Sequence, residues 1–358
     1  MPTPKVAILV AAYNAQATLD ACLASLTGQT LRETEIICID DCSTDATPDV
    51  LTRWAARDTR ITLLRTPANS GQAVARNMGL ERVSAPFVCM VDADDWLSAD
   101  CLLTAYDVIT RHPTTDTVAF SLILHYDDDG HETPYGLPGE LAQGPVSGLR
   151  AFELCLDNWQ LHGYYLVRTE LHRRLPYDTA TRLYSDDNTT RLHYLHSRQV
   201  RAAGGRYYWR QHAASMTHSF NLRRFDFMEA NLSLKASLKD YERTHGALPA
   251  ATFPLLERHR WYIFLASYRM YFNHLHEIPR EERPALRRRL RAVLATFSRR
   301  ELPPDCRRRP GYWLIPHPTL FHLQQWLFTT ARQIMCCRKA KALDAYGILW
   351  ERSAAMVR

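Results

Sequence analysis

The alternation of short apolar runs with helical segments over residues 1–125 constrains the fold of this 358-residue chain more than any other feature. The apolar and β-branched runs have strand length, and the segments between them show helical apolar spacing. Strands and helices that alternate at this pace form βαβ units, so we expect an α/β fold with a mostly parallel sheet. The predicted strands are Val6–Val10, Glu35–Asp40, Ile61–Leu64, Pro86–Val91 and Thr117–Leu124, and the predicted helices are Gln16–Leu26, Thr47–Ala56, Gly71–Arg82 and Ala99–Arg111.

The chain changes character near residue 222. Residues 126–148 are rich in Asp, Gly and Pro and predict a surface loop, after which a helix, aromatic-rich strands and a second helix follow. Beyond residue 222 only helical spacing remains, over residues 225–244, 253–276, 280–297 and 320–346. Residues 1–220 carry 19 Lys and Arg against 26 Asp and Glu, whereas residues 221–358 carry 25 against 12. We therefore expect two units, residues 1–222 and 223–358.

The composition, with 46% hydrophobic and 23% charged residues, is typical of a globular protein with a substantial core. The nine cysteines form no CxxC pair and no Cys/His pattern for zinc, which indicates a reducing compartment. The first apolar run is too short for a signal peptide, and no run of 18 apolar residues occurs. These features predict a cytoplasmic protein.

Two acidic turns each follow a predicted strand, where open α/β sheets bind ligands. In the first, Asp40 and Asp41 offer carboxylates to a nucleobase and to ribose hydroxyls; turn formation and helix capping are the alternative. The second contains Asp92, Asp94 and Asp95, which repel one another unless a cation lies among them. Hard oxygen ligands suit Mn²⁺ or Mg²⁺, although Asp95 could instead cap the next helix.

Two further motifs open helices. In residues 69–79, Gly71 permits close backbone approach and Arg76 offers a bidentate group for an anion at a helix N-terminus; an ordinary turn glycine and a surface arginine are the alternative. In residues 184–188, the neighbouring carboxylates of Asp186 and Asp187 raise each other's pKa, which would suit a general base; helix capping is again the alternative.

Together the motifs resemble glycosyltransferase family 2, whose members have the GT-A fold and invert configuration. The similarity covers about residues 4–220 and includes the first-strand motif Val10 to Asn14, the turn Asp40 to Asp45 and the NxGxxxARNxG-like segment Asn69 to Gly79. Asp92-Ala93-Asp94-Asp95 resembles the family's metal-binding motif, and Asp186-Asp187 its Glu-Asp base motif. Alanine replaces the usual proline at position 11, and aspartate the usual glutamate at position 186.

The resemblance implies a role for each of these residues. It predicts an inverting, metal-dependent transferase that moves a sugar from a nucleotide-sugar donor to a hydroxyl of a glycan or lipid-linked acceptor. The donor is expected to be a UDP-sugar, as is common in the family, and the process is expected to be cell-surface polysaccharide synthesis. Asp187 is the implied catalytic base and Asp94 the implied metal ligand, with Asp186, Asp95 and Arg210 as further candidates. The implied donor-nucleotide site comprises Ala11, Tyr13, Asp40, Asp41, Asn69, Gly71, Arg76 and Asp92.

Rival functions differ in features that the sequence can show. A dehydrogenase would carry GxGxxG after the first strand, and a nucleotidyltransferase a Gly-rich basic loop there; residues 11–15 are neither. A catalytically silent nucleotide-sugar-binding protein of the same fold stays open as the alternative. The donor sugar, its nucleotide, the acceptor and the oligomeric state are not specified by any motif.

The C-terminal region is basic as well as helical. Residues 283–309 contain ten arginines against two acids, Glu301 and Asp305, and are followed by Trp313, Phe321, Trp326, Leu327 and Phe328. This pattern suits peripheral contact with an anionic membrane at the inner face of the cell membrane. A solvated basic face whose aromatic residues pack in a helical core or a homodimer contact is the alternative. Nucleic-acid binding is not expected, because no recognised reading module accompanies the charge.

Overall fold

The computed structural model describes residues 3–156, 159–179, 184–211, 220–308 and 311–337. The chain divides into two compact units. The N-terminal unit comprises Met1–Cys155 and Trp159–Ser219, and the C-terminal unit comprises Leu156–Asn158 and Phe220–Arg358.

The N-terminal unit alternates strands and helices along most of its length. Its strands are β1 (Val6–Ala12), β2 (Thr34–Asp40), β3 (Ile61–Arg65), β4 (Phe87–Met90), β5 (Trp96–Leu97), β6 (Thr115–Tyr126), β7 (Glu132–Pro134), β8 (Val146–Ser147), β9 (Tyr165–Arg168) and β10 (Gln199–Gln211). The helices are α1 (Leu19–Thr27), α2 (Thr47–Ala55), α3 (Gln72–Arg82), α4 (Cys101–Arg111), α5 (Gly139–Gln143), α6 (Gly148–Leu156), α7 (Thr169–Arg174) and α8 (Ser185–His196).

The strands form one sheet in the order β3-β2-β1-β4-β9-β6-β10-β5, with β7 added to β6 and β8 to β10. The long pairings, β1 with β2 and β6 with β10, are parallel, as are β2 with β3 and β1 with β4. The short strand β9 lies antiparallel between β4 and β6. The predicted α/β fold with a mostly parallel sheet is confirmed.

Both faces of this sheet are covered, as the strand sequences require. Along β1, Val6, Ile8 and Val10 belong to the core on one face, while Ala7 and Leu9 belong to the core on the other. Side chains of α1 and α4 fill the first core, and side chains of α3 fill the second. The carboxyl ends of β1, β2 and β4 therefore open at one edge of a rigid sheet.

One local prediction was wrong. Residues 126–148 were expected to be a loop, but they contain β7, α5 and β8. Residues 127–130 form a tight turn, where Gly130 has φ 69° and the Tyr126 N–H donates to the His131 carbonyl at 2.9 Å. The chain then returns along β6, so the Asp- and Gly-rich part is the turn of a hairpin.

The C-terminal unit is helical in its described part. After a short 3₁₀ segment (Leu222–Phe225) it contains α9 (Asp226–His245), α10 (Thr252–Asn273), α11 (Arg283–Leu294), α12 (Pro304–Arg308) and α13 (Pro318–Cys337). Its core is aromatic and centres on α10, with Trp261, Phe264 and Tyr268 packed against Phe321 of α13. The predicted helix over residues 320–346 extends beyond the described residues, which end at 337.

Candidate functional site

The turn after β2 holds the adjoining loops in place. Both oxygens of the buried Asp41 carboxylate accept hydrogen bonds: Oδ1 from the Thr66 hydroxyl at 2.7 Å and the Ser70 N–H at 2.9 Å, and Oδ2 from the Gly71 N–H at 2.8 Å. Gly71, with φ 90°, precedes α3 directly. Asp41 therefore fixes the loop that leads into α3, and the half-buried Asn69 lies in that loop.

Asp40 ends β2 and is also buried. Its Oδ1 accepts from the Ser43 N–H at 3.0 Å, and its Oδ2 lies 3.2 Å from Arg65 Nε. At the end of the neighbouring β1, Ala11 pairs with Ile39 of β2.

Tyr13, one residue beyond β1, is 48% exposed, which leaves its ring available to a ligand at the edge of the sheet. The next residue, Asn14, has φ 50°, and its side-chain oxygen accepts from the Thr44 N–H at 2.9 Å. The residues predicted to bind the donor nucleotide at β1 and β2 thus lie at adjacent strand ends.

A buried arginine connects two acidic motifs that are distant in sequence. Arg76, on α3, is fully buried, with its Nη2 2.6 Å from Asp92 Oδ1 and its Nη1 3.6 Å from Asp186 Oδ2. The Gln72 amide also donates to Asp92 Oδ1 at 3.0 Å. Arg76 was predicted to bind an anion of the ligand, and in the structure its charge is directed to these two protein carboxylates.

Opposing interactions set the pKa of the Asp92 carboxyl group. Its pKa is raised to about 6: burial and the charges of Asp94 and Asp186 raise it, and the charge of Arg76 lowers it. Asp94 is half-buried beside it, in the turn after β4. Asp92 and Asp186 share the Arg76 guanidinium, and the carboxylates gathered in this region make an environment that suits a divalent cation.

Asp95, the third carboxylate of this turn, is enclosed by protein. Its Oδ2 accepts from the Tyr207 hydroxyl at 2.7 Å and its Oδ1 from the Arg210 N–H at 2.8 Å. Burial raises its pKa well above the usual range, and the charges of Asp94 and Asp92 add to this. Asp95 therefore joins the acidic turn to β10.

Arg210 also makes contacts within the unit. Its Nη1 lies 3.5 Å from Asp127 Oδ2, and its guanidinium lies 5.1 Å from the centre of the Trp96 ring. These contacts join the Arg210 guanidinium to groups of its own unit.

Asp187, the predicted base, lies in the first turn of α8 and is half-buried. Its pKa is raised to about 7: burial and the charge of Asp186 raise it, and the charge of Arg191 lowers it. A carboxyl group that titrates near neutral pH suits general-base catalysis, because it is basic enough to accept a proton and is still about half ionised at pH 7.

Arg191 was not identified from the sequence. It lies four residues after Asp187 on α8, so the two side chains share a helix face, and it is fully buried. Its guanidinium stacks 4.4 Å from the centre of the Trp159 ring, and Trp159 has φ 54°. The Trp159 carbonyl accepts from the Tyr135 hydroxyl at 2.7 Å. These contacts fix a positive charge behind the predicted base.

Three aromatic or amide side chains that support the cluster were also missed. The Asn77 amide hydrogen-bonds both the N–H and the carbonyl of Tyr177, each at 2.9 Å, and the Tyr177 ring covers Arg76 at 5.3 Å. The Tyr207 hydroxyl accepts from the Asp92 N–H at 3.1 Å. Asn77 and Tyr207 both lie in segments that the resemblance included, which was the available signal.

The donor set is compatible with a divalent cation that also binds the substrate. Within the described ranges, no three His, Cys, Asp or Glu side chains are grouped so that they could hold an ion by themselves. Mg²⁺ and Mn²⁺ in nucleotide sites are commonly held by one or two carboxylates together with substrate phosphates. The half-buried carboxylates of Asp92 and Asp94 fit that pattern.

Comparison with known proteins identifies the family of this unit. Residues 7–165 match the model of glycosyl transferase family 2. The chain carries a glycosyltransferase family 2 domain. The resemblance inferred from the motifs is therefore confirmed.

Curated relatives align with only part of the chain. The putative glycosyltransferase EpsH of Bacillus subtilis (strain 168) is 36% identical over 134 residues, which are 36% of this chain and 37% of that protein. The putative teichuronic acid biosynthesis glycosyltransferase TuaG of the same organism is 38% identical over 99 residues, 28% of this chain and 39% of that protein. The chain thus spans well under half of the length of these relatives.

Solved structures resemble the chain over most of its length. Residues 1–349 of S. aureus TarS in complex with UDP-GlcNAc give a TM-score of 0.63 at 20% identity, covering 92% of each chain. The mannosyltransferase PcManGT from Pyrobaculum calidifontis, in complex with GDP-Man and Mn²⁺, gives a TM-score of 0.51 at 18% identity and covers 94% of this chain and 88% of its own. At these identities the similarity establishes the fold.

Proposed function

We propose that this protein is an inverting glycosyltransferase that moves a sugar from a UDP-sugar to a hydroxyl group of a glycan or lipid-linked acceptor in bacterial surface-polysaccharide synthesis, at the cytoplasmic face of the cell membrane. The observation that carries the proposal is the convergence of Asp92 and Asp186 on Arg76, since it brings the acidic turn after β4 to the start of the helix that carries Asp187. Family membership of residues 7–165 supports the reaction class.

The donor would bind at the ends of β1, β2 and β4. Tyr13, which is exposed, and Asn69 lie where a nucleoside would enter, while Asp40 and Asp41 shape the turn around it. A UDP-sugar is the favoured donor because TarS, which shares the fold, was crystallised with UDP-GlcNAc and with UDP. Asp94 and Asp92 offer oxygen ligands for Mn²⁺ or Mg²⁺, which would neutralise charge on the departing diphosphate.

Asp187 would act on the acceptor. Its carboxylate takes the proton of an acceptor hydroxyl while that oxygen forms a bond to the anomeric carbon and the bond from that carbon to the diphosphate oxygen breaks. Attack from the face opposite to the leaving group inverts the configuration, which parallels the separation of roles in inverting glycosidases. Arg191, held against Trp159, keeps positive charge near this carboxylate and thereby favours its ionised form.

Nucleotide release tests the proposal. The protein is incubated with UDP-, GDP- and dTDP-sugars, with Mn²⁺ or EDTA, alongside Asp187→Asn. We expect slow release from one donor, lost in EDTA and reduced in the variant. Binding of a donor without release, even with candidate lipid-linked acceptors present, would instead favour the silent nucleotide-sugar-binding protein.

A further inference from the structure

One helix of the C-terminal unit exposes a continuous row of large apolar side chains. On α13, Leu320, Leu323, Trp326 and Leu327 are 53%, 48%, 47% and 54% exposed. At 100° per residue these positions fall within an arc of about 120° on one side of the helix. Together with Trp313, which is 50% exposed and whose carbonyl accepts from Gln324 at 3.0 Å, they form what we call the α13 face.

The opposite side of α13 is anchored in the core of its unit. Phe321 is fully buried among Trp261, Phe264 and Tyr268 of α10. Gln325, also buried, donates to the Gly311 carbonyl at 2.7 Å. These contacts fix the orientation of α13 about its own axis. Among the described residues, its apolar side is therefore exposed because the opposite side is packed in the core, not because the helix end is frayed.

Charge around the α13 face is positive. Residues 318–337 contain one arginine, Arg332, and no acidic residue. Arg287 and Arg291 of α11 are exposed and lie near His322 of α13: burial lowers the pKa of that imidazole, and the two arginines lower it further. An apolar row with tryptophans and adjacent arginines has the composition of an interfacial helix.

We propose that the α13 face docks on the surface of an anionic lipid bilayer, with its Leu and Trp side chains at the level of the acyl chains and Arg287 and Arg291 at the headgroups. None of the helices in the described ranges has both the length and the apolar character needed to cross a bilayer, so α13 lies on the surface. The charges favour this partner over a second copy of the chain. A two-fold contact would bring both sets of arginines together, whereas anionic lipid complements them.

Vesicle sedimentation of the full-length protein tests the proposal. Phosphatidylcholine vesicles are compared with vesicles that also contain phosphatidylglycerol, at low and high salt. We expect binding to the anionic vesicles that weakens with salt. Leu323→Glu/Leu327→Glu should reduce it at least about tenfold, and Arg287→Gln/Arg291→Gln about tenfold or more, because each arginine near such a surface changes partitioning about fivefold.

Leu103→Glu is the matched control, since Leu103 is 37% exposed on α4 of the N-terminal unit and should leave vesicle binding unchanged. Circular dichroism and melting temperatures establish that each variant is folded. Equal binding by the wild type and the Leu323/Leu327 variant, or no binding by the wild type, would overturn the proposal. So would light scattering that shows an oligomer dissociated by that variant, because the face would then be a contact between copies.

The proposal is independent of the transferase reaction: donor hydrolysis without lipid should be the same in all of these variants.

Discussion

Replacing Arg76 by methionine is the sharpest test of the site geometry. Methionine has similar volume and keeps the packing beneath Tyr177, but it removes the guanidinium that lies 2.6 Å from Asp92 and 3.6 Å from Asp186. Among the described residues, Asp92 then keeps the Gln72 amide as its side-chain donor, next to two further carboxylates. The variant should therefore be less stable, and the pKa of Asp92 should rise further.

The magnitude follows from the burial of the pair. Removing one partner of a buried ion pair costs about 3–5 kcal/mol. The Asp92 side chain is 24% exposed and so recovers some hydration, which places the expected loss near the lower limit, about 3 kcal/mol. For a unit of this size, each kcal/mol lowers the melting temperature by about 2–4 °C, so we expect a decrease of about 6–12 °C.

Differential scanning calorimetry at neutral pH measures this loss, with Arg82→Met as the control because Arg82 is exposed on the same helix. Added Mn²⁺ should raise the melting temperature of Arg76→Met more than that of the wild type, since it restores positive charge among the carboxylates. If Arg76→Met melts within about 2 °C of Arg82→Met, the premise that this arginine neutralises the cluster is refuted.

Three further predictions concern the same unit. Asp187→Asn should lower transferase turnover by about 10²–10⁴-fold with little change in melting temperature, as measured by nucleotide release. Arg191→Met should move the acid limb of the pH–rate profile from near 7 to higher pH, because a charge that favours the ionised carboxylate is removed, whereas Arg191→Lys should move it less; an unmoved limb would contradict this role. Burial lowers the pKa of His193 to about 4, so below pH 6.5 the unfolded chain binds more protons than the folded chain at this position, whereas the raised pKa values of Asp92 and Asp187 act in the opposite direction; the melting temperature of His193→Gln relative to that of the wild type should therefore rise as the pH decreases from 6.5 to 4, and a constant difference would contradict it.

The sequence predicted the individual strands and helices well, because each of these elements is encoded by the pattern of residues within its own segment. Apolar runs and turn residues identify β1 to β4 and the helices between them, and the structure places those elements within a few residues of the predicted bounds. The insertion of β9 between β4 and β6 could not be derived in the same way. Strand order depends on contacts between segments far apart in the chain, and β9 has four residues with no periodicity of their own.

For the site, the sequence predicted which residue types are present, but it did not predict which partners each side chain contacts. Asp41 looks like a ligand-binding carboxylate in sequence, yet its hydrogen bonds go to Thr66, Ser70 and Gly71, which lie 25–30 residues away. Arg191 and Trp159 form a stack across 32 positions, and neither lies in a recognised motif. The roles of the predicted donor and base residues remain predictions until the variants above are measured.

The position of Arg76 explains how two acidic motifs that are far apart in the chain come together in the structure. The NxGxxxARNxG-like segment places an arginine on α3, under the carboxyl edge of the sheet, where the turn after β4 and the first turn of α8 both reach it. With aspartate at position 186 the carboxylate stops 3.6 Å from Nη1, beyond hydrogen-bond distance. A glutamate there would be one methylene longer and could close that gap. We therefore expect Asp186→Glu to strengthen the contact between Arg76 on α3 and the first turn of α8 and to raise the melting temperature by a few degrees; a lower melting temperature would indicate that the shorter side chain is required by its surroundings.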